Sequence, residues 1–393
     1  MKIALTCPAS LPATQFGGIL FLCLDIAKES SKKNHDVTIF TTDMDFANNP
    51  TTFNKNLPTT EKIENFTIKR SHVWLSFSLF FINPKMYFQM MNSEFDIIHS
   101  IGVRSFQSFI AALVSKRKKI PLVISDQGGL TTHPDLTSSG LLKKLLYKLQ
   151  TPMIKFVINQ AKKISVANEY EKNIFLNFSD ESKITIVRNG INLETMTSNV
   201  NFKEKYKIEK NFILFLGRFS KIKGIDTLLS SINLLKNEKL IQNFQFVIMG
   251  VDFGFEKDMF QLIKKFNIDN LVKVIKNPSR EDVLSAYKHC EFLVLPSKWE
   301  LSPLTPLEGF AFKKPVISTT AHGIPYTVKD KVNGLLIEPG DEISLSNSII
   351  ELLSNQDRCL ELGRSGYDLV NDICNSKTMV KETLKIYHNL VNR

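Results

Sequence analysis

Two carboxylates, Glu300 and Glu308, stand eight positions apart in the stretch that begins Ser297-Lys298-Trp299, directly after the apolar run Phe292-Leu293-Val294-Leu295. That run has the length and composition of a short buried strand. Thr305-Pro306-Leu307-Glu308 then reads as an N-cap, a proline in the first helical position and a carboxylate two further on. The amides and positive dipole end of such a helix attract a phosphate, while glutamates beside it accept hydrogen bonds from sugar hydroxyls. The combination suggests a nucleotide-sugar site. The same residues also spell a plain capping box, in which Glu308 only satisfies the backbone amide of Thr305.

A second cluster follows an earlier strand. Asn211 to Leu216 is a continuous apolar run that ends in Gly217-Arg218 and is followed by Lys221, Lys223 and Gly224. Ile225, Leu228, Leu229, Ile232 and Leu235 then recur at helical spacing. Arg218 and Lys223 are therefore expected on the loop at the strand's carboxyl end, where open α/β sheets bind ligands. Arginine offers a planar fork and lysine a compact charge to one pyrophosphate. Either cation alone also reads as a solvated surface charge, and Gly17-Gly18, after the apolar run from Lys2 to Thr6, alone reads as an ordinary turn.

Taken together, these segments resemble the retaining glycosyltransferases of family four, which have the two-domain GT-B fold. LGRFSKIKGIDTLL resembles that family's GR…KG diphosphate loop, Glu300 and Glu308 its Glu-x7-Glu carboxylates, and NGLLIEPGD, from Asn333 to Asp341, its closing turn. The likeness runs over nearly the whole chain, through Lys2 to Thr6, Gly17-Gly18, NHDVTIFTTD from Asn34, DIIHSIG from Asp96 and VRNGIN from Val187. It implies that Arg218 and Lys223 hold the donor diphosphate, that Glu308 binds the nucleotide ribose and that Glu300 faces the donor sugar. It also implies that the Gly17-Gly18 loop approaches the phosphates from the opposite domain, because residues without side chains let two backbones come that close to a ligand.

Several positions depart from the family pattern. Leu301-Ser302-Pro303 stands where a small glycine-containing loop is usual. Proline removes one amide donor, so the amides of Leu304 and Thr305 are the expected replacements. Gln127, in Ser125-Asp126-Gln127-Gly128-Gly129, stands where a histidine is common, and it cannot carry a proton. Retaining transfer in this fold is described as front-face attack in which the donor phosphate takes the acceptor proton. His99 and His133 are then candidates for ordering the acceptor, although a histidine at a strand end also reads as structural. Lys313 replaces a frequent glycine before Lys314-Pro315-Val316, and Tyr326 replaces a frequent glutamate after Gly323-Ile324-Pro325, where it would bear on which sugar fits.

Composition sets outer bounds. The 393 residues, 43% hydrophobic, suffice for two α/β domains with ample cores. Cys7, Cys23, Cys290, Cys359 and Cys374 are odd in number and lack metal spacing, which points to reduced thiols used as small core filler in a cytosolic enzyme. No signal peptide is expected, since Pro8 and Pro12 interrupt the apolar run that starts at Ile3. The most apolar stretch, Trp74 to Met91, is broken by Asn83, Pro84, Lys85 and Gln89; it is too interrupted to span a bilayer but could touch one.

The net charge of +11 calls for an anionic neighbour. Positive residues crowd the first half at Lys116-Arg117-Lys118-Lys119 and at Lys162-Lys163. Between them GLLKKLLYKLQ, from Gly140 to Gln150, sets Leu141, Leu142, Leu145, Leu146 and Leu149 on one helical stripe. Such a helix suits an anionic leaflet presenting a lipid-linked acceptor, and it equally suits a helix packing its leucines on a sheet. No nucleic-acid-binding module accompanies the charge.

Alternation of strands and helices predicts two doubly wound sheets. The first is expected from Lys2 to Thr6, Asp36 to Thr41, Thr67 to Arg70, Asp96 to His99, Pro121 to Ser125, Lys163 to Ala167 and Lys183 to Val187. The second is expected from Phe212 to Leu216, Phe244 to Met249, Leu271 to Ile275, Phe292 to Leu295, Pro315 to Ser318 and Gly334 to Ile337. The polar stretch Ile191 to Lys210 reads as the linker, giving an acceptor domain over 1–195, a donor domain over 205–372 and a C-terminal helix, 377–393, that crosses back to the first. The GT-B resemblance implies a cleft between the two.

The expected activity is retaining, metal-independent transfer of a sugar from a UDP- or GDP-sugar to a glycan or lipid-linked acceptor in bacterial surface polysaccharide synthesis, such as capsule or lipopolysaccharide. Glu300, His99 and Gln127 line the reaction centre in this reading; Gly17, Gly18, Arg218, Lys223, Leu304, Thr305 and Glu308 bind the donor. No further cofactor is expected, since the two cations and the helix end neutralise the leaving diphosphate. Asp43-Met44-Asp45 reads as a solvated loop more readily than as a Mg²⁺ site. The enzyme is expected in the cytoplasm, peripheral at the inner face of the plasma membrane. The alternative is a non-catalytic sugar-nucleotide-binding subunit of an assembly complex.

Overall fold

The computed structural model describes residues 1–46, 51–77, 79–127, 130, 134, 148 and 150–392. Its continuous apolar runs form mainly parallel strands, because strands covered by helices on both faces cannot alternate polar with apolar residues. Contacts divide the chain into two units: Met1–Gly190 with Ser376–Arg393, and Ile191–Asn375.

In the first unit, β1 (Lys2–Thr6), β2 (Asp36–Thr42), β3 (Thr60–Ile63), β4 (Phe66–Ser71), β7 (Ile97–Ile101), β8 (Leu122–Ser125), β9 (Lys163–Val166) and β10 (Ile184–Ile186) form one sheet. Its order is β10-β9-β8-β7-β1-β2-β4-β3. Register is set by pairs such as Ile3↔Val37 and Ile3↔Ile97, all of them buried. Only the edge strand β3 runs antiparallel. A separate two-stranded ribbon, β5 (Leu75–Phe77) and β6 (Phe80–Ile82), follows β4. The helices α1 (Gly18–Lys32), α2 (Lys85–Met91), α3 (Phe106–Lys118), α4 (Thr151–Gln160) and α5 (Glu169–Phe175) fill connections between strands.

The second unit has a six-stranded, wholly parallel sheet in the order β13-β12-β11-β14-β15-β16. These are β11 (Asn211–Leu216), β12 (Phe244–Gly250), β13 (Val272–Lys276), β14 (Leu293–Val294), β15 (Val316–Thr319) and β16 (Gly334–Ile337). Alternate residues of β11 enter the two faces: Ile213 and Phe215 join one apolar core, Phe212 and Leu214 the other. The helices that carry the site are α6 (Ile225–Leu235), α7 (Arg280–His289) and α8 (Leu304–Ala311). The terminal helix α9 (Ser376–Val391) belongs to the first unit, where it packs on α1 and buries Met379, Val380, Leu384 and Tyr387.

Two expectations are corrected. The stretch expected as the linker, 191–210, belongs to the second unit: Phe202 and Ile208 are buried in its core, with the Phe202 and Phe212 ring centroids 5.3 Å apart. The apolar residues in that polar stretch have a core to enter, and the units divide instead at Gly190/Ile191 and Asn375/Ser376, beside which Ile191 N donates to Cys374 O at 3.1 Å. Asp43 is not solvated. It is buried, accepts from the Val73 amide at 3.1 Å and lies 2.5 Å from His72 Nδ1.

His133, Gly128, Gly129 and the leucine-striped segment 140–147 lie outside the described residues. Among the described residues, no helix is long and apolar enough to cross a membrane, and no group of three or more His, Cys, Asp or Glu could hold a metal ion. Four of the five cysteines are buried, as small core filler should be.

Candidate functional site

Three loops meet at the carboxyl edge of β11, β14 and β15. The loop after β11 turns at Gly224, whose φ is +69°, and a Cβ there would stand 1.9 Å from Pro296 O. Only glycine lets this loop lie against the one after β14. Lys298 N then donates to Ile222 O at 2.7 Å, and Lys298 Nζ reaches Asp226 Oδ2 at 2.5 Å. The third loop, after β15, backs the second: Gly323 N donates to Glu300 O at 3.0 Å, and a Cβ on Gly323 would strike Leu301 O.

This framework brings three of the sequence-predicted residues, Lys223, Glu300 and Thr305, to one pocket. Lys223 Nζ is ion-paired with Glu300 Oε1, which also accepts from Ser297 Oγ at 3.3 Å. Arg218 is half-buried, with its guanidinium carbon 4.5 Å from the centroid of the Phe253 ring, a cation–π geometry. Burial lowers its pKa from the ordinary value, and the Glu300 carboxylate opposes that shift. A small pocket opens here among Lys223, Ser297, Glu300, Pro303 and Thr305.

Helix α8 starts earlier than its sequence suggests. Its N-cap is Pro303, in extended conformation, so Leu304 and Thr305 occupy the first two helical positions and Pro306 the third. Proline is tolerated there because the first-turn amides have no intrahelical acceptor. Thr305 is therefore not the cap, and Glu308 does not close a capping box. Its carboxylate is buried, accepting from Tyr287 OH at 2.8 Å and pairing with Arg280 Nη2 at 2.7 Å.

Tyr287 and Arg280 lie on α7, which begins with the capping box Ser279 to Asp282. Burial first, and the Glu308 charge second, raise the Tyr287 pKa well above its ordinary value, so the phenol stays protonated and donates. An ionised carboxylate has about four acceptor directions. Glu308 is thus held in one orientation with capacity left over. Tyr287, Arg280 and Phe253 were missed from sequence; only the S-x-x-D helix start at Ser279 hinted at where α7 begins.

Two of the expected catalytic residues, both in the first unit, are otherwise engaged. His99 is 1% exposed, with Nδ1 2.6 Å from Tyr387 OH and Nε2 2.7 Å from Ser125 Oγ. Burial pushes its pKa down to about 3, so it is a neutral ring joining β7, β8 and α9 and cannot order an acceptor. Gln127 sits at φ +57° and exchanges two side-chain hydrogen bonds with Asn189, at 3.0 and 2.9 Å. Its amide is committed to the protein.

Beside it the Glu171 carboxylate accepts from Ala167 N at 2.6 Å and Gln127 N at 3.3 Å; burial and the nearby Asp126 raise its pKa to about 7. Gly17, with φ +105°, leads into α1, whose first residue is Gly18, after β1. This puts a helix amide end at the same sheet edge.

Known proteins agree with this architecture. A family model described as Glycosyltransferase Family 4 matches residues 16–195, and one described as Glycosyl transferases group 1 matches residues 198–369. An uncharacterized glycosyltransferase of Methanocaldococcus jannaschii is 28% identical over 271 residues, 69% of this chain and 69% of that protein. Among solved structures, a sucrose-phosphate synthase from Thermosynechococcus elongatus is similar with a TM-score of 0.79 at 17% identity, covering 100% of this chain and 99% of that one. Anabaena HepE, solved in complex with UDP and glucose, has a TM-score of 0.77 at 17% identity, covering 99% and 100%. At these identities the two structures speak for the fold alone.

Proposed function

The chain belongs to glycosyltransferase family 4, with the GT-B fold, and on that premise we propose that it moves a sugar, with retention, from a nucleotide-sugar donor to a glycan or lipid-linked acceptor. The observation that carries this reading is the convergence of Lys223, Glu300 and the tip of α8 on one pocket, with Glu308 held by Arg280 and Tyr287 behind it.

Arg218, Lys223 and the amides of Leu304 and Thr305 receive the diphosphate, whose charge rises as the glycosidic bond breaks. Lys223 exchanges its partner Glu300 for phosphate, which frees that carboxylate to accept from sugar hydroxyls. Glu308 accepts from the ribose. The acceptor oxygen bonds to the anomeric carbon on the face that the diphosphate leaves. Its proton passes to the departing phosphate oxygen, so no protein base is required.

The neutral, enclosed His99 and the paired Gln127 suit that arrangement. The acceptor is assigned to the first unit. A UDP-sugar is the favoured donor, in keeping with the UDP complex of HepE. No metal takes part, so turnover should survive chelator. The working location is the inner face of the plasma membrane in surface polysaccharide synthesis, to which the chain's +11 charge is suited.

A thermal-shift panel of UDP-, GDP- and ADP-sugars identifies the donor, since a bound ligand raises Tm by mass action. Glu308→Ala should abolish that shift and raise donor KM by about tenfold or more. Normal donor binding and turnover in this variant would overturn the assignment. Donor binding with neither transfer nor slow hydrolysis would instead favour the non-catalytic subunit, a reading motivated by Pro303 and by the committed Gln127.

A further inference from the structure

The ribbon β5/β6 turns Phe81 into the core and carries its apolar residues Leu75, Phe77, Phe80 and Ile82 on the opposite, partly solvent-exposed face. Ser76 pairs with Phe81, which is buried, whereas Leu75 pairs with Ile82 and Phe77 with Phe80 on the opposite face. There Leu75 and Phe77 are 49% and 47% exposed, and Trp74, just before the ribbon, is 71% exposed. Folding left these side chains in water although a buried alternative lay one residue away, a costly arrangement for a surface with no partner.

The ribbon is held firmly. Gln107 Nε2 donates to Phe81 O at 2.9 Å and to Asn83 Oδ1 at 2.7 Å, tying it to α3.

The apolar face continues along α3 as a chain of ring contacts. Phe80 meets Phe106 at 6.0 Å between centroids, Phe106 meets Phe109 at 6.2 Å, and Phe109 meets Phe156 of α4 at 5.9 Å. Each of these rings is partly exposed. The chain ends in charge, because Lys116 Nζ lies 5.7 Å from the Phe156 ring centroid. Beside it a groove between α2 and α3 is lined by Tyr87, Phe88, Ile110, Leu113, Lys116 and Arg117.

Phe88 is 64% exposed on that groove, and Lys116, Arg117 and Lys119 are exposed at the carboxyl end of α3. No Asp or Glu occurs from His72 to Met91 or from Ile97 to Ser125. Aromatic residues that lead and cations that flank are what a bilayer interface selects, since rings sit at headgroup depth while lysine and arginine meet anionic phosphates.

We infer that the β5/β6 ribbon and the α2/α3 groove form a docking surface for an anionic phospholipid bilayer, with Trp74, Leu75 and Phe77 entering the interface and Lys116 and Arg117 on the headgroups. This rests on the reading of a lipid-linked acceptor and specifies where that membrane is met. The surface uses none of the leucine-striped residues expected from sequence. It involves no donor-binding residue, so donor and membrane binding can fail separately.

The test uses the full chain with vesicles of phosphatidylcholine alone or mixed with phosphatidylglycerol. The chain should co-sediment with the mixed vesicles only, and less so as salt rises. Lipids brominated in the acyl chain should quench Trp74, while Trp299, 7% exposed, keeps its emission. The double variant Leu75→Ser/Phe77→Ser and, separately, Lys116→Glu/Arg117→Glu should each lower partitioning by about tenfold, with the donor-induced Tm shift retained.

Equal binding to neutral vesicles, or absence of Trp74 quenching in the unaltered chain, would overturn the proposal whether or not the variants fold. So would self-association that shields Trp74 from an aqueous quencher without lipid, which would give the face to a second copy.

Discussion

At the carboxyl edge of β11 and β14 the polar side chains face a pocket and one another; at the carboxyl edge of β7 and β8 they face inward. Lys223 and Glu300 are paired yet partly exposed, and Arg218, a half-buried residue, lies with its guanidinium against the Phe253 ring. His99, midway along β7, and Gln127, two residues past the end of β8, are bonded to Tyr387, Ser125 and Asn189. Topology alone therefore does not make a strand end a binding edge. What distinguishes the two is whether the polar groups there retain hydrogen-bonding capacity directed away from the protein.

Arg218→Ala should show the contrast most strongly, lowering kcat/KM for the donor by about a hundredfold with little change in Tm. If donor turnover survived it, the second edge would be no more functional than the first. His99→Ala should do the reverse, costing about 3 kcal/mol in denaturant unfolding. It leaves the Tyr387 and Ser125 hydroxyls buried without partners and opens a cavity. Its donor-induced Tm shift should match the parent, and a lost shift would restore His99 to the site.

The smallest effect concerns Glu171. Its carboxyl, raised from 4.5 to about 7 by burial and Asp126, holds a proton in the folded chain that the unfolded chain releases. The associated stability is complete below 4.5 and disappears as pH rises through 7. His99, lowered from 6.5 to about 3, acts in the opposite sense but only below 6.5. Read above that pH, Glu171→Gln should flatten the remaining fall of stability, on the order of 1 kcal/mol; an unchanged slope would show that Glu171 ionises normally at the first edge.

The parallel strands were legible because strands buried on both faces leave uninterrupted apolar runs, and β1 and β16 match their sequence reading residue for residue. Edge strand β3, TEKI, was not legible, since an exposed edge needs no apolar residues. Nor was β5/β6, whose aromatic run matches neither a two-faced buried strand nor an amphipathic one.

In the proposed donor site the residue types singled out Lys223, Glu300 and Glu308, but not the groups that orient them. Tyr287 and Arg280 approach Glu308 from a helix more than twenty residues upstream, a tertiary placement that local spacing does not encode. Lys313 illustrates the same gap. It lies past the end of α8 at φ +56°, which explains why glycine is frequent there, yet its ammonium sits 5.0 Å from the centroid of the Tyr367 ring.

The two prolines at the start of α8 have a consequence for how an anion is held. Of the cap and the first three helical positions, Pro303 and Pro306 contribute no hydrogen, so this end presents only the amides of Leu304 and Thr305. Half of the directional grip is absent, and long-range attraction from Arg218 and Lys223 has to supply more of the affinity. Added electrolyte should then loosen the donor more steeply than it would at a tip with a full set of amides.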